Sequence, residues 1–94
     1  MLHPLAQVTA PDTAAHPLAT TRTPCQWLQI NCDSGNAGII WFGDSTVAVG
    51  RGIPVGAGGQ FFPPIGDGSW IDLAVLYYVA ANANDVFYGA FGVK

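Results

Sequence analysis

The residue types best suited to catalysis in this sequence are six aspartates, two histidines and two cysteines. Asp33-Ser34-Gly35 matches the aspartic-protease triplet, and a short chain with one triplet can share two carboxylates in a dimeric protease. The same residue types are also those expected in a turn. Asn36 stands where a protease has a small apolar residue, and no second apolar-Gly block follows in the right place. The turn is the preferred interpretation, and a dimeric aspartic protease stays open as the enzymatic alternative.

A second block, residues 39–45, ends in Gly43-Asp44-Ser45 and resembles the nucleophile strand of GDS-type esterases. Ser45 would need a histidine base, which that family carries near its C-terminus. The only histidines are His3 and His16, both near the start of the chain. Ninety-four residues are also too few for the α/β fold of that family, so this function is rejected.

Phosphate and metal sites are not indicated either. The glycines at 50–52 and 56–59 resemble fragments of phosphate loops, but the prolines that follow leave no room for the helix whose N-terminus would bind a phosphate. The spacing of the cysteines and histidines matches no zinc module. The sequence therefore predicts a protein that is not an enzyme and binds no cofactor and no metal.

Composition excludes other classes of function. Three basic residues and a net charge of −3 argue against nucleic-acid binding, which needs clustered Lys and Arg. Half of the residues are hydrophobic and 10% are charged, which excludes general disorder and suggests that assembly covers part of the surface. The longest apolar run, Leu73–Ala81, is too short to span a membrane. The N-terminus lacks the features of a signal peptide, so we expect neither a membrane segment nor secretion.

The fold predicted from this composition is all-β. Twelve glycines and seven prolines among many Val, Ile and aromatic residues indicate short strands joined by turns. The pattern predicts a small β-sandwich or barrel of six to seven short strands over residues 25–94, with Val86–Val93 pairing with the preceding strand as a hairpin. The other predicted strands are Cys25–Cys32, Ala37–Phe42, Thr46–Val49, the edge strand Gln60–Ile65, and Trp70–Ala80.

The two cysteines are predicted to be reduced and not bonded to each other. Cys25 and Cys32 lie at opposite ends of one predicted strand, about 23 Å apart at ~3.3 Å per residue. A disulfide needs Cα atoms within about 7 Å.

Residues 1–24 differ from the rest of the chain. They contain four of the seven prolines and both histidines, and no aromatic residue or glycine. We interpret them as an extended N-terminal arm that makes few contacts with its own core and lies on a neighbouring subunit. Its predicted anchors are Leu5, Val8 and Leu18, with Arg22 as the charged contact. A disordered leader, or a chance echo between His3-Pro4-Leu5-Ala6 and His16-Pro17-Leu18-Ala19, stays open as an alternative.

Residues 39–93 resemble a small β module that recurs in virion proteins of tailed bacteriophages. The resemblance covers roughly the last three-fifths of the chain and rests on turn chemistry rather than on active-site chemistry. Its elements in this sequence are Gly43-Asp44-Ser45-Thr46-Val47, Gly52-Ile53-Pro54-Val55, Gly58-Gly59-Gln60-Phe61-Phe62-Pro63, Asp72-Leu73-Ala74-Val75-Leu76-Tyr77 and Asn84-Asp85-Val86.

This resemblance implies a decoration or cement protein on the exterior of a capsid, made in the host cytoplasm. Its expected partners are the major capsid protein and further copies of itself, as a dimer or trimer. The alternative is a tail, fibre or host-glycan-binding module. In that case aromatic side chains would stack on sugar rings, and the candidates are Trp41, Trp70, Tyr77 and Tyr78.

Overall fold

The computed structural model describes residues 2–63, 65–66 and 68–93, which form ten β-strands and no helix. The predicted all-β class is confirmed. The strands outnumber the six to seven expected because residues 2–17 contribute two strands and because two of the predicted strands are each divided in two. In chain order they are β1 (Leu2–Thr9), β2 (His16–Pro17), β3 (Pro24–Cys25), β4 (Trp27–Cys32), β5 (Ile40–Gly43), β6 (Ile53–Val55), β7 (Gln60–Phe61), β8 (Ile71–Asp72), β9 (Tyr77–Ala80) and β10 (Val86–Gly92).

The strands form two four-stranded sheets and one small ribbon. The first sheet has the order β1-β10-β4-β7, the second β2-β9-β5-β6, and β3 pairs with β8. All of these pairs are antiparallel. Burial alternates strictly along β4 and β5, as expected for strands that bury one face. Each sheet thus contributes one apolar face to a shared core.

Aromatic rings join the two sheets across that core. Phe42 of the second sheet stacks on Phe61 of the first, with ring centroids 4.7 Å apart, and meets Phe87 edge-on at 5.5 Å. Tyr78 meets Phe87 edge-on at 4.9 Å. Such pairs contribute about 0.5–1.5 kcal/mol each beyond their buried area. The two sheets therefore pack as a sandwich.

The prediction that residues 1–24 make few contacts with their own core is wrong. β1 pairs with β10 along its whole length, from Leu2 opposite Gly92 to Thr9 opposite Val86, with one bulge between Leu5 and Val8. The predicted boundary between residues 24 and 25 falls inside β3, and one hydrophobic cluster includes side chains from both segments. The segment is extended, but as a strand of the sandwich.

The prolines that suggested an arm lie in edge strands instead. Pro4 is in β1 and Pro17 in β2, and each of these strands has a neighbour on one side only. A proline lacks the N–H group that a central strand needs, so an edge strand accommodates it without losing a ladder bond. A free N-terminal arm and an edge strand therefore give the same pattern of prolines in the sequence.

The stretch from Trp70 to Ala80, predicted as one strand, is divided by a turn between β8 and β9. Asp72 Oδ1 accepts hydrogen bonds from the N–H of Ala74 at 2.9 Å and of Thr23 at 2.8 Å. The N–H of Val75 donates to the Asp72 carbonyl at 3.0 Å. An aspartate that bonds its own backbone two residues on is a turn signal, and here it ends the strand.

The hairpin predicted between this stretch and Val86–Val93 does not form. β9 lies in the second sheet beside β2 and β5, whereas β10 lies in the first sheet between β1 and β4. The loop of residues 81–85 therefore crosses from one sheet to the other. Two further differences are smaller: Thr46–Val49 makes only an isolated bridge from Ala48 to Arg51, and Gln26 separates β3 from β4.

β7 is an edge strand as predicted, but it is shorter, because it ends at Phe61. Pro64, within the predicted strand Gln60–Ile65, lies outside the described residues.

The prediction for the two cysteines is confirmed, since both are free and buried. Cys25 lies in the ribbon and Cys32 in the first sheet. Burial raises the pKa of the Cys32 thiol to about 11, and the nearby Asp85 carboxylate adds to that effect. Burial likewise raises the pKa of Cys25. Both thiols are therefore protonated and poorly nucleophilic at neutral pH.

Candidate binding surface

The side chains predicted to bind a partner do not form one exposed surface. Leu18 is 8% exposed, and Leu5 and Val8 are half-buried and pack against the protein's own hydrophobic cluster. Arg22 is exposed, and its charge helps to lower the pKa of Asp72, after the hydrogen bonds from Thr23 and Ala74. The three apolar anchors are thus occupied within the fold, and Arg22 alone faces solvent.

Asp33-Ser34-Gly35 is a turn in the structure. Asp33 Oδ2 accepts a hydrogen bond from the N–H of Gly35 at 3.1 Å, and the Asp33 carbonyl accepts one from Asn36 at 3.1 Å. The carboxylate is directed back to its own loop, as in the turn interpretation.

The serine of the esterase-like block lies in an exposed turn, and both histidines have other neighbours. The His3 ring stacks on Phe91 with centroids 5.4 Å apart. His16 Nε2 lies 2.7 Å from Asp12 Oδ1, and its ring lies against Tyr78. Within the described part of the chain, these contacts give neither histidine a role as a base for Ser45.

No group of three or more His, Cys, Asp or Glu residues that could hold a metal ion occurs among the described residues. The same residues include no helix of the length and hydrophobicity that a membrane crossing requires.

The four aromatic residues considered for sugar stacking lie in different environments. Tyr78 is 5% exposed and belongs to the core, while Trp41 and Tyr77 are half-buried on neighbouring strands. Trp70 alone is exposed, at 54%. These four rings therefore do not form a single stacking platform.

The best-defined exposed feature is the hairpin that joins β5 to β6. Its tip is closed by two backbone hydrogen bonds between Ala48 and Arg51, at 3.0 and 2.8 Å. Gly50 has a φ of +83°, which suits the third position of such a tight turn and favours glycine. We call residues 44–53 the hairpin tip. It is ordered by its own backbone and does not depend on a partner for its shape.

A solvent-open cleft of about 260 Å³ lies at the base of the hairpin tip. Its apolar lining comes from Phe42, Val47 and Ile53, and its charged lining from Asp44 and Arg51. Clefts that bind drug-sized ligands are usually larger, about 300–1,000 Å³. The size fits one or two side chains of another protein better than a cofactor.

The two charges beside the cleft differ in their partners. Asp44 Oδ1 accepts hydrogen bonds from the hydroxyl of Thr46 at 2.5 Å and from its N–H at 2.8 Å. These bonds, and then the charge of Arg51, hold the pKa of Asp44 below its usual value. The Arg51 guanidinium makes no hydrogen bond or ion pair within 4 Å among the described residues. A fixed anion thus lies beside a cation whose charge acts on it but which has no hydrogen-bond or ion-pair partner within 4 Å in the described part of the chain.

Apolar side chains are exposed around this feature and elsewhere. Val49 at the turn is 58% exposed and Ile53 is 50% exposed. Other large hydrophobic residues that face solvent are Ile39, Phe62, Trp70, Val75, Tyr88 and Val93. Single exposed apolar residues are ordinary, but two of them flanking a charged cleft make a candidate interface.

The opposite end of β5 is built differently. Asp85 is 5% exposed, and its two carboxylate oxygens accept hydrogen bonds from the N–H groups of Ala37 at 2.9 Å and Gly38 at 3.0 Å. The side chain of Asn36 exchanges two hydrogen bonds with the backbone of Val86, at 2.7 and 2.9 Å. We call this group the Asp85 junction. It joins segments almost fifty residues apart and has no exposed reactive atom to offer a substrate.

Sequence reasoning missed both features. In the sequence, Gly50 and Gly52 resemble a phosphate loop, and Gly52 also belongs to the turn pattern of the β module; neither interpretation selects Arg51. One signal was present: Arg51 is among only three basic residues and lies between two glycines next to Ile53 and Val49. The role of Asp85 had no sequence signal, because its partners are distant in the chain.

Comparison with known proteins gives no assignment. No protein-family model, no curated protein and no solved structure matches this chain.

Proposed function

We propose that this chain is a structural protein of a bacteriophage virion that binds the outside of the capsid and stabilises it without performing a reaction. The proposal rests on the resemblance of residues 39–93 to virion β modules and on the character of the surface. Its partners are the major capsid protein and further copies of this chain. A cement protein needs a compact, stable fold with adhesive surface, and a β-sandwich with exposed apolar side chains meets that need.

The observation that carries the proposal is the exposed apolar surface. Among the described residues, eight large hydrophobic side chains are between 38% and 61% exposed. Burying such side chains at an interface contributes about 25 cal/mol per Å² of apolar area. Only 10% of the residues are charged, so little charge must be desolvated when the surface is covered. This surface favours binding to other proteins.

Attachment is proposed through the ordered surface rather than through an N-terminal arm. Leu5, Val8 and Leu18 already pack within the sandwich, so using them for a partner would require β1 and β2 to leave their sheets. An ordered surface avoids the cost of fixing a flexible segment, about 1–2 kcal/mol per residue for the backbone. Rigid partners of this kind bind with smaller entropic losses.

The test uses particles purified from a bacteriophage that encodes this chain. Quantitative mass spectrometry of the particles should find the chain in a fixed ratio to the major capsid protein. Treatment of the particles with urea at a concentration below that which dissociates the shell should release the chain, and capsids lacking it should break at lower temperature. Absence of the chain from purified particles would refute the proposal.

A tail or fibre location is the second candidate, and Trp70 is the observation that favours it, because an exposed tryptophan is suited to stacking on a sugar ring. The same mass spectrometry decides between them, since a tail component is present in few copies for each particle. A glycan array probed with the purified chain and with a Trp70→Ala variant tests sugar binding directly. Binding that is lost in the variant would support the second candidate.

A further inference from the structure

The hairpin tip has the charge pattern of a surface that recognises itself. It presents one carboxylate, Asp44, and one guanidinium, Arg51, on the same cleft, with Val49 and Ile53 exposed beside them. In an interface with twofold symmetry the same patch lies on both subunits. If one residue of the first subunit contacts a second residue of its partner, the symmetry forms the same contact again with the two subunits exchanged. A patch that carries both charges is therefore complementary to a rotated copy of itself.

We propose that two copies of this chain pair through their hairpin tips, with Asp44 of each copy facing Arg51 of the other and the exposed Val49 and Ile53 side chains between them. The inference names a surface for the self-association included in the proposed function. It can be tested on the purified chain alone, and it stands or falls without any particle.

Charge complementarity selects this occupant. A purely anionic partner would meet Arg51 but would be repelled by Asp44, whose lowered pKa keeps it ionised above acidic pH. A purely cationic partner would be attracted by Asp44 but repelled by Arg51. A second copy satisfies both charges, and the Arg51 guanidinium makes no hydrogen bond or ion pair within 4 Å among the residues that the structure describes. Like-charge contacts across interfaces cost several kcal/mol, so the sign pattern discriminates strongly between partners.

The edges of the sheets favour contact through side chains over pairing of strands. Each outer strand of the two sheets contains a proline or is followed by one within two residues: Pro4 in β1, Pro17 in β2, Pro54 in β6 and Pro63 after β7. Proline interrupts the row of N–H donors that a second strand would need, which is a known protection against edge-to-edge association. The hairpin tip, which leads into the outer strand β6, offers exposed side chains instead.

The hairpin tip is also preorganised for binding. The two hydrogen bonds between Ala48 and Arg51 fix the turn, and Val47 beneath it is only 6% exposed. A surface that is ordered before association loses little conformational entropy on binding. The contact is small, since interfaces of stable complexes bury about 1,200–2,000 Å² in total. We therefore expect a weak dimer, with a dissociation constant of about 10 µM to 1 mM.

The experiment is a charge exchange followed by sedimentation velocity over a range of protein concentrations at low salt. Arg51→Asp alone places two aspartates opposite two aspartates, and Asp44→Arg alone places arginines opposite arginines. Each variant should associate at least tenfold more weakly than the wild type. Mixing the two variants should restore a dimer, because only the mixed pair again brings opposite charges together.

Arg22→Asp is the matched control. It makes the same change of net charge at another exposed arginine, and it should leave dimerisation within about twofold of the wild type. Asp44→Asn covers the case in which Asp44→Arg does not fold. The amide oxygen can still accept from Thr46, but the charge is lost, so dimerisation should weaken several-fold. Circular dichroism establishes that each variant is folded.

Four results would overturn the proposal. The first is a wild-type chain that stays monomeric at about 1 mM and low salt. The second is equal weakening by Arg22→Asp and Arg51→Asp, which would indicate a general charge effect. The third is a mixture of the two reversed variants that fails to form a heterodimer although both are folded. A trimer would also contradict it, because a twofold contact closes with two copies.

Discussion

An aspartate lies beside a loop at each end of β5, but the two carboxylates differ in burial and in their hydrogen-bond partners. Asp85, at the end where β5 begins, is buried and accepts hydrogen bonds from backbone groups 47 and 48 positions away in sequence. The Asp44 carboxylate, where β5 ends, is exposed, and its hydrogen-bond partner among the described residues is Thr46, two positions away. A buried carboxylate with distant partners holds the fold together, whereas an exposed one with local partners is available for recognition.

The largest expected difference between the two ends is in stability. Asp85→Ala removes both acceptors and leaves two part-buried N–H groups without partners, so we expect a loss of about 2–4 kcal/mol in the free energy of unfolding. Asp44→Ala removes an acceptor that is exposed to water, so its effect on the free energy of unfolding should be clearly smaller. Urea denaturation followed by tryptophan fluorescence measures both.

Asp85→Asn is the control for shape. It keeps the size of the side chain, but its NH₂ group cannot accept a hydrogen bond from Ala37 or Gly38, so its effect should lie between those of wild type and Asp85→Ala. Equal losses for Asp85→Ala and Asp44→Ala would mean that the hydrogen bonds of the Asp85 junction stabilise the fold no more than the local bonds of Asp44 do.

The glycines at the two ends should respond differently to a methyl group. In Gly52→Ala the new Cβ would lie 2.7 Å from the Phe42 carbonyl oxygen and 2.8 Å from Val47 Cγ2, at a φ of +141° that alanine rarely adopts. We expect a loss of about 2–3 kcal/mol from strain and overlap. In Gly38→Ala the Cβ would overlap the end of the Asn82 side chain, which can rotate away. That variant should lose less than about 1 kcal/mol.

Thermal unfolding of both glycine variants by circular dichroism gives the comparison. If Gly38→Ala is the more destabilised of the two, then Asn82 is held in place and the Asp85 junction extends further than its hydrogen bonds indicate.

Much of the fold could be predicted from the sequence because turn chemistry is local. The turns at Asp33 and Asp44, the position of β10 and the edge position of β7 all follow from Gly, Pro, Asp and alternating apolar residues. Which strands pair is a different matter. The loop of residues 81–85 has the length of a hairpin loop, yet it crosses between the sheets. Its end is held beside Ala10, whose N–H donates to the Asp85 carbonyl and whose carbonyl accepts from the N–H of Asn84, both at 2.8 Å.

The candidate surface was harder to predict than the fold. A proline such as Pro4 signals only that a strand has one free side, so the sequence does not distinguish a strand at the edge of its own sheet from an arm on another subunit. Arg51 stands out only once the structure shows that no described side chain neutralises it at short range. Whether an arginine has an oppositely charged neighbour depends on the folded structure, and the sequence alone has no pattern that indicates it.

The rate of thiol labelling should differ between the buried Cys32, near the Asp85 junction, and a cysteine introduced at the exposed hairpin tip. Cys32 is 2% exposed, and burial raises its pKa to about 11, so iodoacetamide should modify it only when the chain opens. A cysteine introduced by Ser45→Cys lies at the exposed hairpin tip and should react more than tenfold faster. Mass spectrometry of a time course reads both sites in one sample. Comparable rates at the two sites would show that the Asp85 end opens readily in the native protein.

The smallest expected effect concerns acid. The pKa of Asp44 is lowered by the Thr46 hydroxyl, then by the Thr46 N–H and the charge of Arg51. Because the folded pKa is depressed, ionised Asp44 stabilises the fold above its ordinary pKa near 3.8, and this contribution is lost as the pH falls through the lower folded value. Asp44→Asn should therefore be slightly less stable than wild type at pH 7, and the two should converge in strong acid, where Asp44 is protonated in both the folded and the unfolded chain. Asp12 and Asp72 also have lowered pKa values, so the wild type and the variant both lose stability in acid and only the difference between them reports on Asp44.

Urea midpoints at the two pH values, measured at a concentration where the chain is monomeric, give that difference. A gap that widens in acid would assign Asp44 the opposite linkage and would remove the fixed anion on which recognition at the hairpin tip depends.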